Sequence, residues 1–176
     1  IHALLAQRGI NFPWATLCKK ALIWLQELSK EHILLKSYLH LRDEYIQEIK
    51  KLNYEIFDYT DQDEHAQLLM TIPGIGPRRA LELLAEIGEW DRFSDSNKLC
   101  CYAGLVPSVR QSGTTLKFGG LIKQANTSIK YVLIEASWNI VRTKESNSLQ
   151  EFYKKLEKKK GKQKAICATA RKLCCI

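Results

Sequence analysis

Between Leu34 and Tyr59, apolar and aromatic side chains return every seven residues, and only a long helix keeps such a repeat on one side of the chain. Tyr38, Tyr45, Leu52 and Tyr59 form one row, Leu34 and Leu41 complete its early part, and Ile49 and Ile56 complete its later part. The seam slips by one position where Glu48 takes the expected apolar place. The pattern predicts an amphipathic helix over about 30–60, in a coiled coil or a long antiparallel helix pair. Two partners suit it: a second copy of the chain, which makes the segment a dimerisation arm, or the helix expected over 14–28. Three tyrosines make the seam an atypical zipper.

The flanking segments also read as helix. Residues 1–28 are expected to be helical, with Pro13 in the first turn of a helix running through Trp14, Leu17, Ala21, Trp24, Leu25 and Leu28. Ser29 is a candidate cap for the long helix, although His32 stands where a capping box prefers Glu or Gln. Asp61, Asp63 and Glu64 mark a turn. Helix is expected again at Leu81 to Ile87, stopped by Gly88, and at Phe93 to Leu105, with Ser94 or Asp95 at its cap. Val106 to Gly120 reads as loop with short extended pieces. A helix capped by Asn126 or Thr127 follows, then one within 145–163 and a last one from about Lys164. The fold class is mainly α: a coiled-coil-like arm over 1–65, then a helical domain over 66–176.

Charge separates the same two regions. Residues 1–97 hold 11 basic and 15 acidic side chains, and residues 98–176 hold 16 basic and 4 acidic, within a net charge of +8. A basic block of this size points to a polyanion, most simply nucleic acid. No apolar run is long enough to span a membrane, and the N-terminus has no signal-peptide pattern. The six cysteines show no CxxC spacing, and the four histidines fall in no ligand motif, so no metal site is expected. Reduced, mostly buried thiols of an intracellular protein are the expectation.

Two stretches carry chemistry. Pro73-Gly74-Ile75-Gly76-Pro77 lies between apolar helical segments within 68–88. Glycine permits a tight turn and leaves amides bare, and the helix opened by Pro77 presents a partially positive end. Arg78 and Arg79 add charge. The stretch resembles a helix-hairpin-helix, a motif that binds DNA backbone without reading sequence; a plain glycine turn is the alternative. The second stretch, 106–123, combines Ser108, Ser112, Gly113 and Gly119-Gly120 with Arg110, Lys117 and Lys123. A serine hydroxyl attacks only when a base, a metal or a positive field activates it, and no histidine is near. By its residues alone the loop is an ordinary Ser-Gly turn with phosphate-binding cations.

A further set of motifs occurs in order: Leu69-Met70-Thr71-Ile72-Pro73-Gly74-Ile75-Gly76-Pro77, Leu84-Ala85-Glu86-Ile87-Gly88, Phe93, Tyr102-Ala103-Gly104-Leu105-Val106-Pro107, Gln111-Ser112-Gly113, Gly120-Leu121-Ile122-Lys123 with Asn126, and Ala170-Arg171-Lys172-Leu173. Together they resemble the C-terminal part of the "one-ten" type insertion-sequence transposases, relatives of the Piv DNA invertases. The match is dense over 66–173 and is by pattern over 1–65.

The resemblance implies a RuvC-like domain whose four acidic residues hold Mg²⁺, a coiled coil, and a C-terminal domain whose serine becomes joined to DNA. Ser112 matches that serine, and Ser108 is the runner-up. The sequence departs from the family at Ser108-Val109-Arg110-Gln111, where a more basic approach is usual, and at Thr114 and Thr115, which stand for Gly and Lys. Nucleic acid is expected to contact Gly74, Gly76, Arg78, Arg79, Arg110, Gly113, Lys117, Lys123 and Lys130, with the lysines of 154–164 adding general affinity. No RuvC-like segment is recognised in this sequence, so no cofactor is expected on it, and by itself it should bind DNA or RNA without recombining. DNA is the expected partner, with a guide (bridge) RNA as a second candidate because some members use one, together with a homo-oligomer through the arm. The expected location is the bacterial cytoplasm, at the nucleoid. A non-catalytic helix-hairpin-helix binding module is the competing reading.

Overall fold

A computed structural model describes residues 1–14, 17–144 and 146–176. These are mainly helical, and their extended structure is one two-stranded antiparallel sheet. The chain divides into two compact units, Ile1–Glu55 and Ile56–Ile176. No described helix is long and apolar enough to cross a membrane.

In the first unit, α1 (His2–Gln7) and α2 (Lys19–Ser29) precede the long helix α3 (Ile33–Gln62), whose last residues, from Ile56, belong to the second unit. The core of this unit joins Leu5, Leu25, Leu35 and Leu39, with Phe12 and Trp24 against it. The expected helix from Pro13 is corrected: Pro13, Trp14, Leu17 and Cys18 are not helical, and α2 begins at Lys19. Pro13 and Trp14 belong instead to the segment that carries Phe12 and Trp14 against Trp24. The part of that expectation on residues 15 and 16 lies outside the described residues. Ser29 is also not a cap for α3. It is the last residue of α2, and its hydroxyl donates back to the Gln26 carbonyl at 2.6 Å.

Helix α3 bears out the periodicity, and its seam is left open. Leu35 and Leu39 turn into the core, whereas the residues of the sevenfold rows, half-buried Ile56 apart, remain exposed, from 44% at Leu41 to 61% at Tyr45. The intrachain pairing considered from sequence therefore engages other residues of α3.

In the second unit, Asp63 ends α3 and caps α4 (Glu64–Met70), accepting from the Ala66 amide at 2.7 Å. Then come α5 (Pro77–Ile87), a short 3-10 turn (Trp90–Arg92) and α6 (Ser96–Tyr102), which Asp95 caps. The strands β1 (Pro107–Ser112) and β2 (Thr115–Leu121) follow, and then α7 (Thr127–Arg142), α8 (Ser148–Lys160) and α9 (Lys162–Cys174). Asn126 caps α7 as the sequence predicts. Helix α7 carries the core, with Ile129, Val132, Leu133, Ala136 and Ile140 buried, and packs on α5, α8 and α9, while α4 packs on α5 and α6 on α9. The Gln150 amide donates to the carbonyls of Val141 and Thr143, which satisfies the otherwise open end of α7. The helix expected within 145–163 is α8; residue 145 lies outside the described residues.

Candidate nucleic-acid interface

The glycine turn joins α4 to α5, and its two glycines do different work. Gly74 has φ +91°, and a Cβ there would lie 2.4 Å from the Asn139 amide nitrogen, so this glycine lets the turn seat closely against α7. Gly76 has φ −97° and ψ 179°, and a Cβ there would meet nothing within 4 Å. Gly76 is the open one, and it stands at the N-cap of α5. Pro77 occupies the first turn, no side chain caps the helix, and its first turn holds no acid. The bare amides and the helix dipole there favour an anion.

Arg78 is exposed beside this end. Arg79 is half-buried, and its guanidinium sits 5.1 Å from the centroid of the Tyr131 ring on α7. Its Nη1 is buried and has no hydrogen-bond partner among the described residues. Stacking on Tyr131 holds this charge in place rather than leaving it on a freely moving chain.

The serine stretch is a β-hairpin. Ser112 pairs with Thr115, Gln111 with Leu116, Arg110 with Lys117 and Val109 with Phe118, and a bulge separates Pro107 from Val109. Gly113, the first of the two loop residues, has φ +57°, at the position where a type II′ turn takes glycine. Because side chains alternate along a strand, Arg110, Ser112, Thr115 and Lys117 share one face, and Val109, Gln111, Leu116 and Phe118 share the other. The first four, with Gln111, line an open hollow of about 280 Å³ at the tip. Two cations and two hydroxyls thus converge at an exposed site.

No carboxylate balances them. The sequence contains no Asp or Glu between Asp95 and Glu135, and among the described residues Arg110 and Lys117 form no ion pair. Like charges facing each other across a strand pair repel by roughly 0.2–1 kcal/mol. A phosphate between them would turn that repulsion into attraction.

The two candidate serines are set apart. Ser108 is half-buried at the bulge, and a Cβ on Gly119 would lie 2.4 Å from its hydroxyl oxygen. Ser112 is exposed at the tip, among the cations. Lys123 is exposed in the loop after β2, whereas Lys130 on α7 donates to the Ile122 carbonyl at 3.1 Å and so helps to hold the base of the hairpin. The glycine turn and the hairpin are thus two separate positive features, each anchored to α7.

The hollow at Ser112 does not suit Mg²⁺, a hard cation that needs carboxylate or neutral oxygen ligands, because two fixed positive charges line it. Among the described residues, no group of three His, Cys, Asp or Glu side chains is placed to hold a metal ion.

The family model described as Transposase IS116/IS110/IS902 matches residues 66–154, which hold the glycine turn, the hairpin and α7. The chain belongs to the IS116/IS110/IS902 transposase family. It is similar to the transposase for insertion sequence element IS1328 of Yersinia enterocolitica, 28% identical over 141 residues, which are 78% of this chain and 42% of that protein. It is also similar to the pilin gene-inverting protein of Moraxella bovis, 33% identical over 123 residues, which are 68% of this chain and 38% of that protein. The transposase for IS1111A of Coxiella burnetii is 29% identical over 112 residues, 62% of this chain and 31% of that protein. The chain spans less than half the length of these relatives.

Several residues that build the interface of this transposase-family domain carry no signal in the sequence. Asn139 under Gly74 and Tyr131 under Arg79 lie on α7, far along the chain from the turn they support. A third support joins Glu86, Asn126, Tyr102 and Arg92. Asn126 donates to Glu86 Oε2 at 2.6 Å and reaches the Tyr102 hydroxyl at 3.5 Å, and Arg92 stacks 4.7 Å from the Tyr102 ring. The Asn126 bond, then Arg92, hold the Tyr102 phenol below its ordinary range. Asn126 thus caps α7 and ties α5 to α6, a double role that its reading as a simple cap does not contain.

Proposed function

We propose that this chain is the nucleophile-bearing and DNA-binding part of a transposase or site-specific recombinase, and that Ser112 is the nucleophile. The observation that carries the reading is the exposed hairpin face on which Ser112 stands with Arg110, Lys117 and Thr115 and with no carboxylate. A DNA phosphate seated there has its charge balanced by the two cations. Ser112 Oγ forms a bond to phosphorus as the bond from phosphorus to the 3′ oxygen breaks. The serine proton leaves to solvent, and the departing 3′ oxygen takes one up as a free 3′-hydroxyl. Arg110 and Lys117 stabilise the extra negative charge of the five-coordinate phosphorus. Gly76, Arg78 and Arg79 hold a neighbouring stretch of backbone, and Lys123 and the lysines of α8 add sequence-independent affinity.

In this reading Mg²⁺ belongs to a RuvC-like domain outside this chain, so the chain by itself binds DNA without rejoining it. A guide RNA is a second polyanion suited to the same cations. The open seam of α3 pairs with a second copy. The site of action is the bacterial nucleoid.

The test is Ser112→Ala in the full-length protein. Transposition and the covalent protein–DNA adduct should disappear while DNA affinity stays within a few-fold. Retained transposition by Ser112→Ala, with loss in Ser108→Ala, would move the role to Ser108. Retention in both would leave the non-catalytic binding module, whose strongest support is the uncapped, arginine-flanked start of α5 beside Gly76.

A further inference from the structure

A second basic surface lies away from the Ser112 tip. The base of the hairpin and the corner between α8 and α9 enclose a groove of about 830 Å³. One wall carries Lys159 and Lys160 at the end of α8 and Lys164 and Arg171 on α9. Lys164, Ala168 and Arg171 recur at helical spacing, so one stripe of α9 faces the groove. Gly119 and Gly120 of β2 line the opposite side and bring bare backbone to it. The floor is apolar, from Leu105, Leu121 and Leu156. No acidic side chain lines the groove, and none of its four cations forms an ion pair among the described residues.

We propose that this groove is a binding site for a single strand of nucleic acid, distinct from the Ser112 hollow and the glycine turn. The proposal rests on the reading that the chain engages nucleic acid, and it adds where a strand runs. A row of cations with no carboxylate partner, of which Arg171 alone donates to a neutral side chain (Asn97, 3.3 Å), fits phosphates along a strand. Lys164 and Arg171 are about 10 Å apart along α9 at 1.5 Å per residue, room for more than one phosphate of an extended strand. The apolar floor between the cations and bare β2 backbone gives sugars and bases a surface that a phosphate-only contact would not need. A groove between the α8–α9 corner and one strand of the hairpin suits a single strand, whose sugars and bases can reach its floor.

The experiment uses the whole chain with Lys160→Gln and Lys164→Gln combined. The control is Lys36→Gln with Lys50→Gln, two exposed cations of α3. Binding of a single-stranded oligonucleotide and of a duplex is measured across a salt series. The groove variant should lose single-strand affinity about tenfold or more, and its salt slope should fall by about 1.4, the release expected for two phosphates of a single strand. The control should change less than threefold.

Cys167 lies in the groove and supplies a second readout. Its alkylation, followed by peptide mass spectrometry, should slow when the single strand is bound, while that of exposed Cys18 should not. An unchanged slope, equal loss in the control, loss confined to the duplex, or no protection of Cys167 would each overturn the groove assignment. Failure of the wild-type chain to bind any oligonucleotide at low salt would instead overturn the underlying reading as well.

Discussion

Gly74 and Gly76 differ in what an added Cβ would meet, Asn139 at 2.4 Å against nothing within 4 Å, and that difference can be tested residue by residue. Gly74→Ala puts an L side chain at φ +91° and drives its Cβ into Asn139. Left-handed strain of about 1–2 kcal/mol and overpacking of about 1–3 kcal/mol should together cost about 2–5 kcal/mol in chemical denaturation. Shortening Asn139 to Ala in the same chain should recover only part of the overpacking, because the Asn139 Cβ, 2.7 Å from the added one, remains. Gly76→Ala meets open space and should cost only about 0.5–1 kcal/mol, the loss of a tolerated N-cap, while weakening DNA binding. Equal costs at the two positions would contradict the division of labour drawn for the turn. The sequence marks both glycines as turn formers, but not which one packs against α7, because that depends on Asn139, more than sixty residues further along the chain.

The thiols give a second prediction at this scale. Burial, then the neighbouring Cys174 and Cys175, push the Cys100 thiol well above its ordinary value of 9.0, and burial raises Cys167 and Cys174 as well. A thiol that ionises less readily in the folded chain contributes stability that is whole below its unfolded value and is lost as pH rises past it. Thermal stability should therefore fall above about pH 9, and Cys100→Ala should flatten that fall even if it lowers stability at pH 7. A Tm that is level from pH 8 to 10 in the wild type would remove the buried thiols as its cause.

At the scale of elements, the hairpin is where sequence and structure differ most. Val106 to Gly120 reads as loop with short extended pieces, yet it forms two strands of six and seven residues. The usual signal of a strand is alternation between a core face and a wet face. Here neither face is a core: one bears Arg110, Ser112, Thr115 and Lys117, and the other bears exposed Val109, Leu116 and Phe118. The helices are more legible because α5 and α7 bury regular apolar stripes and because Asp95 and Asn126 cap α6 and α7. The start of α2 is not, since Pro13 suits a helix start and its aromatic neighbours are held by tertiary contacts. The hairpin's paired cations make its own test. Arg110→Gln removes a cross-strand repulsion, so free-chain stability should hold or rise by a few tenths of a kcal/mol. Duplex affinity should fall, with a salt slope smaller by about 0.9. A variant that destabilises the chain yet binds DNA normally would show that Arg110 serves the fold instead.

For the whole molecule, the charge division and the open seam belong together. The basic block lies in the unit that carries the hairpin and the groove, while the acidic, heptad-patterned stretch supplies a 30-residue helix whose apolar rows, half-buried Ile56 apart, stay exposed among the described residues. An exposed row of Tyr38, Leu41, Tyr45, Ile49 and Leu52 is costly in water, since each large side chain fully buried is worth about 1.5–3 kcal/mol. A second α3 laid along the seam would bury it. Tyr45→Glu with Leu52→Glu places two charges in the middle of the seam without touching Leu35 or Leu39, which form the local core. Sedimentation at micromolar concentration should then shift from oligomer to monomer with helix content retained, since both positions are exposed in the single chain. A wild-type chain that sediments as a monomer at all concentrations would leave the seam to another partner. An oligomer indifferent to both charges would place the contact elsewhere on the chain.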